Sequence, residues 1–338
     1  MKIQFQFTDS VAYEAHCDPD ENILDAAIKA EIPILSQCQS GSCGTCVAKL
    51  VSGKAEATPG QSSSLLKSER DEGFRLLCQC TPVADCVFDL GYDSALGEVQ
   101  PERYESNIDE IEWVSNDVVR LRLALPEDDW FDFEPGQFVQ LRVPGTAEWR
   151  SYSMASGLRD MPNIELYIRI LPEGVMSNYL KGEAEAGDLV ELEAPFGSFR
   201  LRKSKKQHIF IAGGTGLAPF FSMFEAIRTY SGSKPPILLS FGCASDAGLF
   251  GQSELEDAAF MLPGLEYRVS VEQKLDNDSA ARIGNPVNAI SADDIRSDDT
   301  VAYLCGPPGM IEAARASLIN LGVATENIFA EQFVATSS

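Results

Sequence analysis

Cys38, Cys43 and Cys46 stand in the nine-residue run CQSGSCGTC, and Cys78 follows in LLCQC after thirty-one intervening residues. Intervals of four and then two residues, with a distant fourth cysteine, match the known ligand spacing of a two-iron, two-sulfide cluster. Such ligands must converge from a tightly wound loop. Ser40, Gly41, Ser42, Gly44 and Thr45 supply the small side chains and unusual backbone angles that this demands. The implied chemistry is transfer of single electrons. A zinc site and a disulfide framework are the rival readings. Zinc knuckles usually present two close pairs of ligands, whereas three cysteines here share one loop. Disulfides need an oxidising compartment, and MKIQFQFTDS alternates polar and apolar residues instead of running apolar as a secretion signal does. Cys80 also competes for the fourth position. Read as a strand, FRLLCQC places Cys80 on the face of Cys78 but about 7 Å further along, so Cys78 is chosen. Cys17, Cys80, Cys86 and Cys243 are read as small buried or half-buried apolar residues.

The elements that must hold these ligands follow from the rest of the chain. Its 338 residues suffice for two or three domains, and 44% hydrophobic content is ordinary for a globular protein. The longest uncharged stretch, residues 209–224, is broken by Gly213-Gly214 and Pro219 and is too short for a membrane span. A net charge of -24 disfavours nucleic acid and anionic lipid and suits a partner that presents Lys and Arg. Only His16 and His208 are available as histidines, so neither a Rieske centre nor a non-haem oxygenase iron can be built here.

Three modules are expected. In residues 1–97, IQFQF and VAYEAHC alternate as hairpin strands, Asp20 or Asn22 caps a helix over ILDAAIKAEI, and Pro33 stops it before the cysteine loop. A linker covers DSALGEVQPER, punctuated by Gly97 and Pro101. Residues 98–203 hold short alternating runs (VVRLRLAL, QFVQLRV, IELYIRI, DLVELEA) that predict an antiparallel barrel. Residues 204–338 alternate strand and helix, which predicts a parallel sheet covered on both faces.

Two places in the last module suit a nucleotide. Gly213-Gly214-Thr215-Gly216 joins its first strand to its first helix, where glycines admit phosphate or ribose and unpaired N–H groups await it, although the same glycines also suit a tight turn. Cys305-Gly306-Pro307-Pro308-Gly309 lies at the carboxyl end of the final strand, where ligands of open α/β sheets bind. In the barrel, Arg150, Tyr152 and Ser153 of RSYS offer a cation for a diphosphate, a flat ring for an isoalloxazine and a hydroxyl near its N5. Gly174-Val175-Met176-Ser177 opens a short helix, another phosphate seat or a plain cap.

In this order the motifs resemble the reductases of the ferredoxin-NADP reductase superfamily that carry their own plant-type ferredoxin domain. Most of all they are similar to the reductase components of two-component aromatic-ring-hydroxylating dioxygenases of the benzoate and anthranilate type. The resemblance implies a β-grasp ferredoxin domain, an FAD-binding barrel and an NAD-binding domain. It implies that Arg150, Tyr152, Ser153, Tyr167, Arg169, Gly174, Met176 and Ser177 bind FAD, and that Gly214, Thr215, Gly216, Cys305, Gly306 and Pro307 hold the nicotinamide nucleotide. Glu331 and Phe333, in the closing AEQF, match the family's acid and aromatic residue beside the flavin; where the plant enzymes end on tyrosine, Phe333 is followed by Val-Ala-Thr-Ser-Ser. Ser153, Cys305 and Glu331 would surround the hydride path. NADH delivers electrons in pairs and a cluster accepts them singly, so FAD between the two would divide the pair. Asp246 and Glu272 lie where acids favour a free ribose hydroxyl, so NADH is expected over NADPH, with solvated loop acids as the other reading. The expected acceptor is a terminal oxygenase on another polypeptide, and the alternatives are a diiron monooxygenase as partner or a redox-sensing regulator. A cytoplasmic monomer completes the reading.

Overall fold

The computed structural model describes residues 1–41, 43–58, 64–276, 279–297 and 299–333; Ser42 of the cysteine loop and the segment after Phe333 lie outside the described residues. The chain divides into two compact units. One comprises Met1–Pro101 with Phe196–Ser198, and the other Glu102–Pro195 with Phe199–Phe333.

In the first unit, β1 (Lys2–Gln6) and β2 (Ala12–His16) pair antiparallel, as their alternation requires. Helix α1 (Ile23–Lys29) follows, capped by Asn22, whose side-chain oxygen accepts the Asp25 N–H at 2.8 Å. The helix ends at Ala30, with Glu31 at φ 55°, so the chain leaves it earlier than Pro33. Next come β3 (Val47–Ser52), β4 (Ala55–Ala57), α2 (Lys67–Asp71), β5 (Phe74–Leu76), β6 (Cys80–Pro82) and β7 (Cys86–Asp89). The main sheet has the order β2-β1-β7-β3-β5, with β1 and β7 parallel. One sheet face and the apolar side of α1 bury Ile3, Phe5, Ile23, Leu24 and Phe88 together, an arrangement of strands gripping a helix. The expected linker is partly ordered: α3 (Ser94–Glu98) folds within it.

The second unit begins with β8 (Glu102–Trp113), β9 (Val118–Ala124), β10 (Phe138–Arg142), β11 (Trp149–Ser153), β12 (Asn163–Arg169), α4 (Val175–Gly182) and β13 (Leu189–Phe196). Their order is β11-β10-β13-β8-β9-β12, and a Met154–Leu166 bridge joins the two end strands into a barrel-like closure. Leu121, Leu123, Val139, Leu141, Leu166 and Leu192 fill its interior from alternate strand positions.

The parallel sheet follows: β14 (His208–Gly213), α5 (Ala218–Arg228), β15 (Ile237–Ser245), α6 (Gln252–Met261), β16 (Leu265–Gln273), β17 (Arg282–Ile283), β18 (Val301–Gly306), α7 (Pro308–Asn320) and β19 (Ile328–Gln332). Its order is β17-β16-β15-β14-β18-β19 with every neighbouring pair parallel. All carboxyl ends therefore share one edge, and the glycine turns after β14 and β18 lie side by side on it. Among the described residues no helix is long and apolar enough to cross a membrane.

Candidate functional site

The cysteine loop sits between α1 and β3, and its distant fourth thiol comes from a short 3-10 turn, Leu77–Gln79, between β5 and β6. Leu77 N–H donates to the Cys46 carbonyl at 3.1 Å, which brings the fourth cysteine to the loop. Cys38 Sγ accepts N–H groups from Ser40 and Cys43, each at 3.4 Å. The Cys38 sulfur beside it pushes the Cys43 thiol up, and the Cys78 sulfur does the same to Cys46, while Cys78 is lowered by its hydrogen bond with Cys46. Four sulfurs close enough to perturb one another fit a cluster whose irons would hold them as thiolates. The loop is also cradled. Gly41 has φ +82°, and a Cβ there would lie 1.9 Å from the Gln79 side chain, whose Nε2 donates to Ser40 O at 2.6 Å. Gln79 is a positioning residue that no spacing rule pointed to.

The continuous strand expected over FRLLCQC is broken by that 3-10 turn. Cys78 and Cys80 consequently do not share a strand face. Cys80 enters the core with Cys17 and Cys86, and burial pushes its thiol up to about 12.

In the second unit, β11 carries Arg150, Tyr152 and Ser153. Arg150 pairs with Glu148 and donates to the Trp149 carbonyl at 2.9 Å. Burial raises the Tyr152 hydroxyl, and its half-buried ring packs on the barrel core. Ser153 Oγ donates to Glu331 Oε2 at 3.1 Å. Glu331 stands opposite Cys305 in the β18–β19 register, and Cys305 is fully buried. Desolvation of its carboxyl pushes Glu331 up to about 8 against the lowering effect of Ser153, even though the residue as a whole is only half-buried. The same desolvation, with Glu331 adding to it, holds the Cys305 thiol well above its ordinary range. Ser153, Cys305 and Glu331 are thus brought together from a barrel strand and two sheet strands. Phe333 lies two residues beyond Glu331, its N–H donating to the Gly306 carbonyl at 2.9 Å.

Gly174 caps α4, and a Cβ there would meet Ser177 Oγ at 2.8 Å. Ser177 Oγ itself accepts the Leu171 N–H at 2.9 Å, which fastens the turn, and Met176 packs inside the barrel. The early N–H groups of this helix, with the Arg150 cation and the Tyr152 ring, fit a flavin dinucleotide. Tyr167 does not join them. Alternation on β12 sends Leu166 and Ile168 into the barrel and Tyr167 to the other face, where it lies against Phe250 and Phe221 with ring centroids at 5.0 and 5.8 Å. Arg169 is exposed and pairs with Asp117 at 3.2 Å.

The two glycine turns press on each other. A Cβ on Gly216 would lie 2.2 Å from the Cys305 carbonyl oxygen, one on Gly213 would lie 2.9 Å from Pro307 Cδ, and Gly214 and Gly306 have φ of +54° and +147°. Thr215 is buried between them in sequence, at the entry to α5. Asp246 opens the turn after β15, and Glu272 is exposed near the end of β16. A cleft of about 740 Å³ lies there, lined in part by Asp246, Glu256, Leu275, Asp276 and Arg282.

The sheet edge, the barrel and the thiol loop define a class: an iron–sulfur flavoprotein oxidoreductase that uses a nicotinamide nucleotide. Comparison with known proteins agrees. Residues 7–83 match a 2Fe-2S iron-sulfur cluster binding domain, 105–201 an oxidoreductase FAD-binding domain and 210–316 an oxidoreductase NAD-binding domain. The electron transfer component of 2-halobenzoate 1,2-dioxygenase from Burkholderia cepacia is 33% identical over 99% of this chain and 98% of that protein. The reductase component of propane 2-monooxygenase from Mycolicibacterium smegmatis is 30% identical over 99% and 97%. The crystal structure of the Amycolatopsis cytochrome P450 reductase GcoB superposes with a TM-score of 0.72 at 28% identity, covering 98% of each chain. The chain belongs to this family of ferredoxin-containing, FAD- and NAD-binding electron-transfer reductases.

Proposed function

We propose that this chain carries electrons from NADH through FAD and a [2Fe–2S] cluster to a separate terminal oxygenase, a Rieske non-haem iron enzyme that dihydroxylates an aromatic ring. Bound to this chain, FAD would supply the exchange between two-electron hydride chemistry and the single-electron chemistry of a [2Fe–2S] cluster. The chain's own residues bind and orient. Arg150 and the first turn of α4 would hold the diphosphate of FAD, and Tyr152 would offer its ring to the flavin. Gly214, Thr215, Gly216, Gly306 and Pro307 admit the nicotinamide nucleotide at the sheet edge. Ser153 and Cys305 flank the hydride path, with Glu331 keeping a proton at its carboxyl below about pH 8. Cys38, Cys43, Cys46 and Cys78 ligate the cluster, and Gln79 fixes their loop. The modules are taken as 1–97, 98–203 and 204–338, in a cytoplasmic monomer.

The observation that carries this reading is the convergence of Ser153, Glu331 and Cys305 from separate elements. The dioxygenase partner is preferred on the 33% identity of the 2-halobenzoate relative. The propane 2-monooxygenase relative, at 30%, supports a diiron monooxygenase partner as the second reading. Anaerobic NADH addition should bleach flavin and cluster together; a cluster that stays oxidised while the flavin is reduced would sink the intramolecular route. Reconstitution with a purified Rieske oxygenase and with a diiron hydroxylase separates the two partners.

A further inference from the structure

Asp246 invites assignment as a ribose ligand, but its bonding gives it other work. One carboxylate oxygen accepts the N–H of Leu275 at 2.9 Å and of Ala247 at 3.1 Å, and the other accepts the N–H of Asp276 at 2.8 Å. The Asp276 and Leu275 amides hold this carboxyl below the ordinary range. Leu275 and Asp276 belong to the connection from β16 to β17. Asp246 therefore stitches that connection across the carboxyl edge of the sheet and fixes one wall of the 740 Å³ cleft. The same turn is tied to the barrel, since Asn116 N–H donates to the Ala247 carbonyl at 3.1 Å.

The arginines lining the cleft divide sharply. Arg268 spends its guanidinium on Asp294, at 2.5 and 2.8 Å, and on the Ala289 carbonyl. Arg282 stands opposite Ser270 on the edge strand β17, exposed, and among the described residues it makes no ion pair or side-chain hydrogen bond. Glu256 and Asp276 contribute carboxylates to an otherwise mostly neutral lining, and the Asp246 carboxylate is already spent on backbone N–H groups. NADPH differs from NADH by one phosphate on the adenosine ribose, and such a phosphate is recognised by a cation with open donors.

We propose that Asp246 is a positioning residue, and that Arg282 is the residue that reads the 2′ position of the nicotinamide nucleotide. Glu256 and Asp276 set the preference for NADH, and Arg282 supplies the affinity for NADPH that remains. This rests on the reading that the sheet edge binds that nucleotide.

The test is anaerobic flavin reduction of the full-length holoprotein by NADH and by NADPH, with binding of AMP and 2′-phospho-AMP as the second readout. Arg282→Ala should lower kcat/KM for NADPH about tenfold while NADH stays within about twofold, and should abolish any gain of 2′-phospho-AMP over AMP. Arg282→Lys should retain most of the NADPH activity. Asp246→Asn should raise KM for both nucleotides by the same factor and leave kcat and their ratio alone, because it loosens a wall and not a contact. A more than about fivefold shift toward NADPH in Asp246→Asn would overturn the assignment, as would an unchanged ratio in Arg282→Ala. A wild-type flavin that neither nucleotide reduces would overturn the proposed function itself.

Discussion

Glu331 is a carboxyl beside Ser153 and Cys305 whose proton leaves only at about pH 8. Ionised, it would place a negative charge where a hydride must arrive, and charge at a reacting centre acts strongly in a water-poor site. Flavin reduction by NADH should therefore slow as pH rises through about 8, and Glu331→Gln should flatten the profile, measured by stopped-flow absorbance. The raised pKa also bears on folding: its contribution is fully present below about pH 4.5 and is lost as pH rises through about 8. His208 behaves oppositely. It is fully buried at the start of β14, meets Tyr303 and Phe210 edge-on, and neither ring nitrogen has a hydrogen-bond partner among the described residues. Burial lowers it to about 4, so its contribution to stability is present above about 6.5 and lost as pH falls through about 4. A shift of that size corresponds to about 3 kcal/mol, and His208→Phe, which keeps the aromatic contacts, should resist acid unfolding better in circular dichroism melts between those limits.

The turns after β14 and β18 work as one element, because Gly216 leaves only enough room for the Cys305 carbonyl. Gly216→Ala must push the two turns apart, with an overpacking cost of about 1–3 kcal/mol. It should impair NADH use while flavin and cluster absorbance persist, which anaerobic titration with NADH and with dithionite would distinguish. Much of this architecture was legible beforehand, since β14, β15 and β18 each write an apolar run before a turn, and β16 and the barrel strands alternate. The spacing of Cys38, Cys43 and Cys46 was legible for the same reason, being local in sequence, whereas the distant Cys78 is read only from the match to a known pattern. What failed was the path between elements. FRLLCQC reads as one strand because its apolar pattern is uninterrupted, and only tertiary pairing of Leu77 with Cys46 forces the 3-10 turn. That turn separates the roles of the two nearby thiols. Cys80→Ala should keep the cluster's visible absorbance, and Cys78→Ser should lose it. Tyr167 shows the same limit, since alternation marks a strand's two faces but not which of them a cofactor would occupy.

At the scale of the whole molecule, the net charge of -24 is shared by both ends of the electron path, and residues 1–101 alone hold 15 Asp and Glu against 7 Lys and Arg. The two bimolecular steps should feel that field with opposite sign. NADH is an anion and is repelled, whereas a protein acceptor presenting Lys and Arg is drawn in. Raising ionic strength from about 10 mM to about 1 M shortens the screening length from about 30 Å to about 3 Å. The second-order rate constant for flavin reduction by NADH should then rise modestly. That for re-oxidation of the reduced cluster by cytochrome c, used as a basic one-electron acceptor, should fall by an order of magnitude or more. Both are read in the same stopped-flow series. Parallel salt dependence of the two steps would mean that local charges at each site, and not the charge of the molecule, govern encounter; opposite slopes would place the acidity of the chain in the export of electrons.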